Sequence, residues 1–327
     1  MKNSRPFLLF IRVYFAVIFI TLISFFIFSC KKEPIINSQV INLQPVEQLD
    51  SCYTLTPPTD PGWGYEYTFD TIIYENPCFN PNNSYEIAVL ITDKNGKNLY
   101  KCNLLTKSKQ IIYSGEIWGV PSWGINDWLI FNLPGNTMWK IKSNGDSLTQ
   151  VTTTVGYNPN WSPDARYYFY SNPAYSYATT ICDSKSDTVV RILPLNTKYK
   201  WNNNNTIIFS DEHGIYFYFF DKDSTYFKWF EYGFNGFICY WLNNNEAIYY
   251  YNYKLFKINT QGDTTTYGNI PDCNSWHYGL PTFQSITNKA IWQKLTYRDA
   301  GYNKLFTKCY LVMTNSDGSS ETKIYFK

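Results

Sequence analysis

Few residues in this sequence stand where they could make or break covalent bonds. There are two histidines, His213 and His277, and none of the patterns H-E-x-x-H, G-x-S-x-G, Walker A or G-x-G-x-x-G occurs. His213 follows Asp211-Glu212 and precedes Gly214, which reads as a hairpin turn with a surface histidine. His277 lies in Asn274-Ser275-Trp276-His277-Tyr278-Gly279, open between a binding loop and an ordinary connection. A pair of carboxylates about 5–10 Å apart would suit glycoside hydrolysis. The candidates Asp164, Asp211, Glu212 and Glu246 fall mostly in turn-like surroundings, where a carboxylate caps backbone N–H groups. Asp221-Lys222-Asp223 and Asp317-Gly318 lack the ligand spacing of a calcium loop and read as solvated turns. The sequence thus supplies no catalytic residue, metal ligand or cofactor site that can be named.

The cysteines divide into one with a chemical context and seven without. Residues 1–12 carry Lys2, Arg5 and Arg12, and Val13 to Ser29 is almost wholly apolar. A positive start followed by an apolar stretch is a secretory leader. It ends at Ile27-Phe28-Ser29-Cys30. That run resembles a bacterial lipobox, with an aliphatic residue at −3, a small residue at −1 and Cys at the cleavage point. Phe28 departs from the small residue usual at −2. Lys31-Lys32-Glu33 resembles the start of Bacteroidetes-type lipoproteins. Only a thiolate can take the diacylglycerol there, so Cys30 is the expected lipid attachment point. Two alternatives stay open, an uncleaved anchor and simple secretion, and all three place the remainder outside the cytoplasm. The other seven are Cys52, Cys78, Cys102, Cys182, Cys239, Cys273 and Cys309, with no C-x-x-C pair. An odd number leaves at least one thiol free or bonded to another chain. Cys52 and Cys78 are the one candidate disulfide.

These residues need elements to position them, and composition says which. Aromatics make up 20% of the 327 residues and charged groups 17%, which favours pleated, half-buried strands over disorder. Without the three leader cations the formal charge of +2 becomes −1, so the footprint of a nucleic-acid binder is missing.

A repeat of about 40 residues organises the chain. An aromatic anchor precedes a short turn rich in Asn, Asp, Pro and Ser, and then an apolar strand. The anchors are Phe79, Trp123, Trp161, Trp201, Trp241 and Phe283, spaced by 44, 38, 40, 40 and 42 residues. A second apolar column follows at Leu99–Asn103, Met138–Lys142, Thr179–Asp183, Tyr218–Asp221, Leu255–Asn259 and Leu311–Thr314. Cys102 and Cys182 share that column with Ile141, Ile258 and Met313, as small core hydrophobes would. Each repeat reads as four short strands. In the first they fall near Glu75–Phe79, Tyr85–Thr92, Asn98–Leu105 and Gln110–Ser114. A lone four-stranded sheet of this kind leaves two greasy faces, and a ring of neighbours covers both.

The clearest unit is Asn158-Pro159-Asn160-Trp161-Ser162-Pro163-Asp164-Ala165-Arg166-Tyr167-Tyr168-Phe169-Tyr170-Ser171. It resembles the TolB-family signature P-x-W-S-P-D-G-x-x-I-x-F-x-S, with Ala165 in place of the usual Gly. The expectation is an all-β, six-bladed propeller of four-stranded antiparallel blades over residues 63–327. Residues 1–29 form the signal segment, and residues 30–62 the lipidated Cys and a flexible tether. Ser162, Pro163 and Asp164 form the repeat turn. The ring is expected to close either with the last repeat's own strand, Thr322–Phe326, or with a strand borrowed from Tyr65–Ile73.

The TolB resemblance implies an envelope interaction module without a cofactor. The expected function is non-enzymatic, lipid-anchored docking of an envelope protein, peptide or glycan, at the outer membrane and on either its periplasmic or its surface side. The alternative is a propeller hydrolase acting on a polysaccharide or peptide.

Overall fold

The second strand of every repeat is an unbroken apolar run, such as Ile87-Ala88-Val89-Leu90-Ile91 or Thr206-Ile207-Ile208-Phe209. Successive side chains of a strand point to opposite faces. Such a run is stable only where both faces are covered. The computed structural model describes residues 65–67 and 72–327, apart from 95, 176, 194–198, 203, 212, 230–235, 252–253, 270–280 and 301–302.

Strand β1 is Tyr65–Tyr67. Blade one follows as β2 (Ile73–Asn80), β3 (Asn83–Asp93), β4 (Gly96–Asn103) and β5 (Lys109–Ser114). Blade two is β6 (Trp118–Trp123), β7 (Trp128–Leu133), β8 (Thr137–Lys142) and β9 (Thr149–Val155). Blade three is β10 (Tyr157–Trp161), β11 (Tyr167–Asn172), β12 (Ala178–Asp183) and β13 (Val189–Leu193). Blade four is β14 (Tyr199–Trp201), β15 (Thr206–Ser210), β16 (Gly214–Phe219) and β17 (Ser224–Trp229). Blade five is β18 (Phe237–Trp241), β19 (Glu246–Tyr251), β20 (Lys254–Asn259) and β21 (Thr264–Asn269). Blade six is β22 (Thr282–Gln284), β23 (Lys289–Ala300), β24 (Asn303–Asn315) and β25 (Thr322–Ile324). Within each blade, consecutive strands pair antiparallel in sequence order, so the expected six-bladed propeller is the fold.

The packing follows strand parity. Ala88 and Leu90 of blade one meet Leu129 and Phe131 of blade two. Ile130, the residue between those two, faces the other way and packs with Tyr168 and Tyr170 of blade three. Phe169 then packs with Ile207 and Phe209 of blade four. Ile208 packs with Ala247 and Tyr249 of blade five, and Ile248 with Ala290 and Trp292 of blade six. Each anchor joins the interface with the preceding blade: Trp123, Trp161 and Trp201 are buried there, and Trp241 and Phe283 partly so. Phe79 is buried as well, and its backbone N–H donates to Thr282 Oγ1 of blade six at 3.2 Å.

That last contact belongs to the seam between the first and last repeats. The Tyr74 and Phe326 rings lie 6.2 Å apart across it, and Lys327 N–H donates to the Lys107 carbonyl at 2.8 Å. Blade six takes its fourth strand from its own repeat, since β25 pairs with Leu311–Met313 of β24. This corrects the borrowed-strand alternative. Tyr65–Tyr67 instead adds in parallel to Lys304–Phe306, further along β24, where that strand and β23 outrun their blade.

The repeat turn is held by its own side chains. Ser162 Oγ donates to Asp164 Oδ1 at 2.6 Å, and Asp164 Oδ1 accepts the Arg166 N–H at 3.0 Å. Ala165 adopts φ of 54°, which explains the glycine of the signature. Asp127, Asn205 and Asn288 take the corresponding left-handed position in three other blades. Asn and Asp tolerate that region better than alanine does. The Ala165 methyl is buried between blades two and three, which offsets part of its strain.

Cys102 and Cys182 are buried in the apolar column, as are Ile141, Ile258 and Met313. Burial pushes the Cys102 thiol from an ordinary 9.0 to about 12. Cys78 is a free thiol, also pushed to about 12 by burial, and packs against the cluster of blades one and two. Its candidate partner, Cys52, lies outside the described residues together with Cys30 and Cys273.

Two outcomes follow for stability. Trp161→Ala should cost about 3–5 kcal/mol in urea unfolding, and Ala165→Val about 2 kcal/mol, with Ala165→Gly near neutral. Cys102, Tyr199 and Tyr249 ionise only at about 12 in the fold, their ordinary values being 9.0 for the thiol and 10.0 for the phenols. The unfolded chain therefore loses these protons first. Stability is full below pH 9 and should fall as pH rises from there towards 12, measured as a descending thermal midpoint.

Candidate functional site

First strands end, and second strands begin, on one face of the ring, here called the lower face. On the opposite, upper face, first strands begin and the connections between blades arrive. In blades one to three a proline stands two residues before the anchor: Pro77, Pro121 and Pro159. Proline has no N–H to give to a ladder, and each first strand is an edge strand, where that loss is tolerated. Pairing with the second strand slips at each proline, between Glu75 and Cys78, Trp118 and Ser122, and Tyr157 and Asn160. Just before each proline or one residue earlier, the chain turns left-handed, at Asn76 (φ 51°), Gly119 (φ 77°) and Asn158 (φ 51°). These are β-bulges, which re-aim side chains.

The three bulges form a row across three blades. Asn76 Nδ2 donates to the Gly119 carbonyl at 2.9 Å. A Cβ on Gly119 would stand 3.1 Å from Asn158 Oδ1, so glycine permits both the backbone angle and the approach. Buried Asn132 fixes the row from behind. Its Nδ2 donates to the Gly156 carbonyl at 2.6 Å, and its Oδ1 accepts the Asn158 N–H at 3.1 Å. Below it, Ser122 Oγ donates to Asn160 Oδ1 at 2.7 Å and accepts the Trp161 N–H at 3.1 Å.

Two exposed aromatic groups stand near this row. Trp118, next to Gly119, is 40% exposed. Its Nε1–H donates to Glu116 Oε1 at 2.9 Å, which holds the indole while leaving ring surface open. The connection after β11 starts as a 3-10 turn, Pro173–Tyr175, capped by Asn172 Oδ1 accepting the Ala174 N–H at 3.0 Å. It displays Tyr175 and Tyr177, 52% and 43% exposed. Tyr177 adopts φ of 63°, its carbonyl accepts from Ser171 Oγ at 2.8 Å, and its ring lies 5.5 Å from that of Tyr157. A bulky residue held in the left-handed region is strained, and such strain clusters at functional sites. Charge at the row is low: Glu75, beside Asn76, is paired with Lys97 at 2.7 Å.

The acids singled out from the sequence do not converge. Asp164 caps its lower-face turn in blade three. Asp211 lies in the upper-face turn of blade four, where Oδ1 accepts the His213 and Gly214 N–H groups at 2.8 and 3.1 Å and Oδ2 the Tyr216 hydroxyl at 2.9 Å. His213 is thus the surface turn histidine expected. Glu246, in blade five, accepts from Asn243 Nδ2 at 2.8 Å and faces Lys257 Nζ at 3.4 Å. Asp221 accepts from Asn205 Nδ2 at 3.2 Å, Asp223 from the Tyr218 hydroxyl at 2.8 Å, and Asp317 from the Ser319 N–H at 2.9 Å, so these too cap or brace turns. Glu212 and His277 lie outside the described residues. Sequence reasoning missed the bulge row and its aromatics. The recurring proline ahead of the anchor was the signal that could have found them.

No protein-family model and no curated protein matches the sequence. Solved structures do. A TolB from Agrobacterium tumefaciens aligns with TM-score 0.55 at 13% identity, over 68% of this chain and 86% of that one. An oligogalacturonate lyase from Vibrio parahaemolyticus aligns with TM-score 0.53 at 11% identity, over 79% and 80%. The β-propeller domain of the Trilobed protease from Pyrococcus furiosus, with its open velcro topology, aligns with TM-score 0.50 at 14% identity, over 79% and 86%. At these identities the likeness is one of fold, and it agrees with the six-bladed propeller described above.

Asn132→Ala would leave the Gly156 carbonyl and the Asn158 N–H without their partner. The expected loss is about 2–3 kcal/mol in urea unfolding. Asn144→Ala, in an exposed turn, should change stability by less than about 1 kcal/mol.

Proposed function

We propose that this chain is a lipid-anchored, non-enzymatic docking protein of the bacterial cell envelope, whose upper face receives the partner. The anchor reading rests on the leader and on Ile27-Phe28-Ser29-Cys30. Acyl chains on Cys30, palmitate among them, would hold the protein at the outer membrane, each buried methylene adding about 0.8 kcal/mol. Residues 30–62, with Pro57-Pro58 and Pro61-Gly62, would act as the tether.

The observation that carries the docking role is the braced row of Asn76, Gly119 and Asn158 with Trp118 beside it. Exposed aromatics held by hydrogen bonds lose little freedom on binding, which favours recognition. Nothing comparable supports hydrolysis, since Asp164, Asp211 and Glu246 belong to three separate blades and each is tied into its own turn.

Two measurements test this reading. A photo-crosslinking amino acid in place of Trp118 should capture a defined envelope component in intact cells, and one in place of Ile125 on the lower face should not. Equal capture from both positions, or none from either, contradicts the docking role. Cys30→Ser should abolish incorporation of labelled palmitate and release the protein from membranes. A wild-type protein that takes up no label, with a mutant that stays membrane-bound, removes the anchor.

A further inference from the structure

The chemistry of the bulge row narrows what the upper face binds. We infer that it is a saccharide site: the Asn76–Gly119–Asn158 row, with Trp118 next to Gly119 and Tyr177 packed on Tyr157 next to Asn158, takes an extended, uncharged chain of pyranose sugars. This deepens the docking reading above and rests on it.

A pyranose has a flat face of C–H groups and a rim of hydroxyls, each both donor and acceptor. The C–H face suits the negative face of an aromatic ring. Trp118 and Tyr177 offer such rings on consecutive blades, and both are fixed, one by Glu116 and the other by a strained backbone tied to Ser171. Hydroxyls suit groups that can both donate and accept, and a side-chain amide does both. Asn76 and Asn158 supply amides on either side of Gly119, which leaves room for the Asn158 amide beside it.

Charge argues for a neutral chain. Glu116, tied to Trp118, would repel an acidic sugar, and Glu75 beside Asn76 engages nearby Lys97. Glu116 can still accept from a hydroxyl. The array also argues against a protein surface as occupant. Protein interfaces bury about 800 Å² per partner around a packed apolar core. Here Trp118 and the Tyr157–Tyr177 pair stand on separate blades, with amides and backbone of the row beside them.

The test uses the full-length lipidated protein in detergent micelles. The probes are β-linked gluco-, manno- and galacto-hexaoses, with a galacturonate hexamer as the acidic control, and binding is followed by calorimetry and ligand-observed NMR. At least one neutral hexaose should bind, and Trp118→Ala and Tyr177→Ala should each weaken it by about tenfold or more. Ile125→Ala, on the lower face of blade two, should bind within about twofold of wild type. Unchanged thermal midpoints would show that the variants fold.

No binding of any neutral hexaose at about 10 mM overturns the inference. So does binding indifferent to Trp118 and Tyr177, or equal binding of the galacturonate hexamer. If sugars fail while a crosslinker at position 118 still captures one defined envelope protein, the ligand class is wrong and the docking face stands. If both fail, the docking face falls as well.

Discussion

The whole molecule depends on covering the second strand of each blade on both sides. A run such as Ile87–Ile91 or Thr206–Ser210 cannot face water on either side without losing much of its apolar burial. No single blade can provide that cover, because a four-stranded sheet has nothing above or below it. Each blade therefore supplies one face to the blade before it and the other to the blade after it. The large anchors, Trp123, Trp161 and Trp201, fill the wedge between neighbours near the lower face. Their place explains why an aromatic recurs at a fixed distance from the turn.

Polar groups are arranged around that constraint. Lower-face turns satisfy their own backbone through Asn, Asp and Ser side chains, as Asn202 Oδ1 does for the N–H groups of Asn204 and Thr206. They also reach the next blade: Asn82 Nδ2 donates to the Ile125 carbonyl at 3.0 Å, and Asn202 Nδ2 to the Asn244 carbonyl at 2.9 Å. With the lower face committed to closing the turns, the upper face is free to vary. Bulges, a longer connection with a 3-10 turn and a strained tyrosine all occur there. Stability thus draws on the lower-face turns, and the proposed recognition on the upper face of the same blades, as in scaffolds that carry function on loops.

Much of the fold was legible because burial imposes a period. The spacing of Phe79 to Phe283 and the shared column of Cys102, Ile141, Cys182 and Ile258 both record positions that must be apolar in every blade. The strands of blade one came out within two residues of the expected bounds. Ring closure was not legible, since Tyr65–Ile73 and Thr322–Phe326 alternate equally well and only pairing partners separate them. The candidate site was also hidden. Trp118 and Tyr177 lie 59 residues apart in a chain with 11 Trp and 30 Tyr, so neither stands out. What joins their blades is a backbone slip at Pro121 and at Pro159, recorded in the sequence only by a proline two residues before the anchor. Turn residues, by contrast, announced themselves: Asp211 beside His213 behaves as the hairpin pattern implied.

The central claim is that blades shield one another and that no subset is self-sufficient. Deleting blade six, by ending the chain at Asn269, tests it most directly. Near-ultraviolet circular dichroism of the remaining five blades should lose the fixed aromatic signal of the complete ring, and thermal unfolding should lose its single cooperative step. A truncated chain that keeps both the aromatic signal and a sharp transition near the original midpoint would contradict the account.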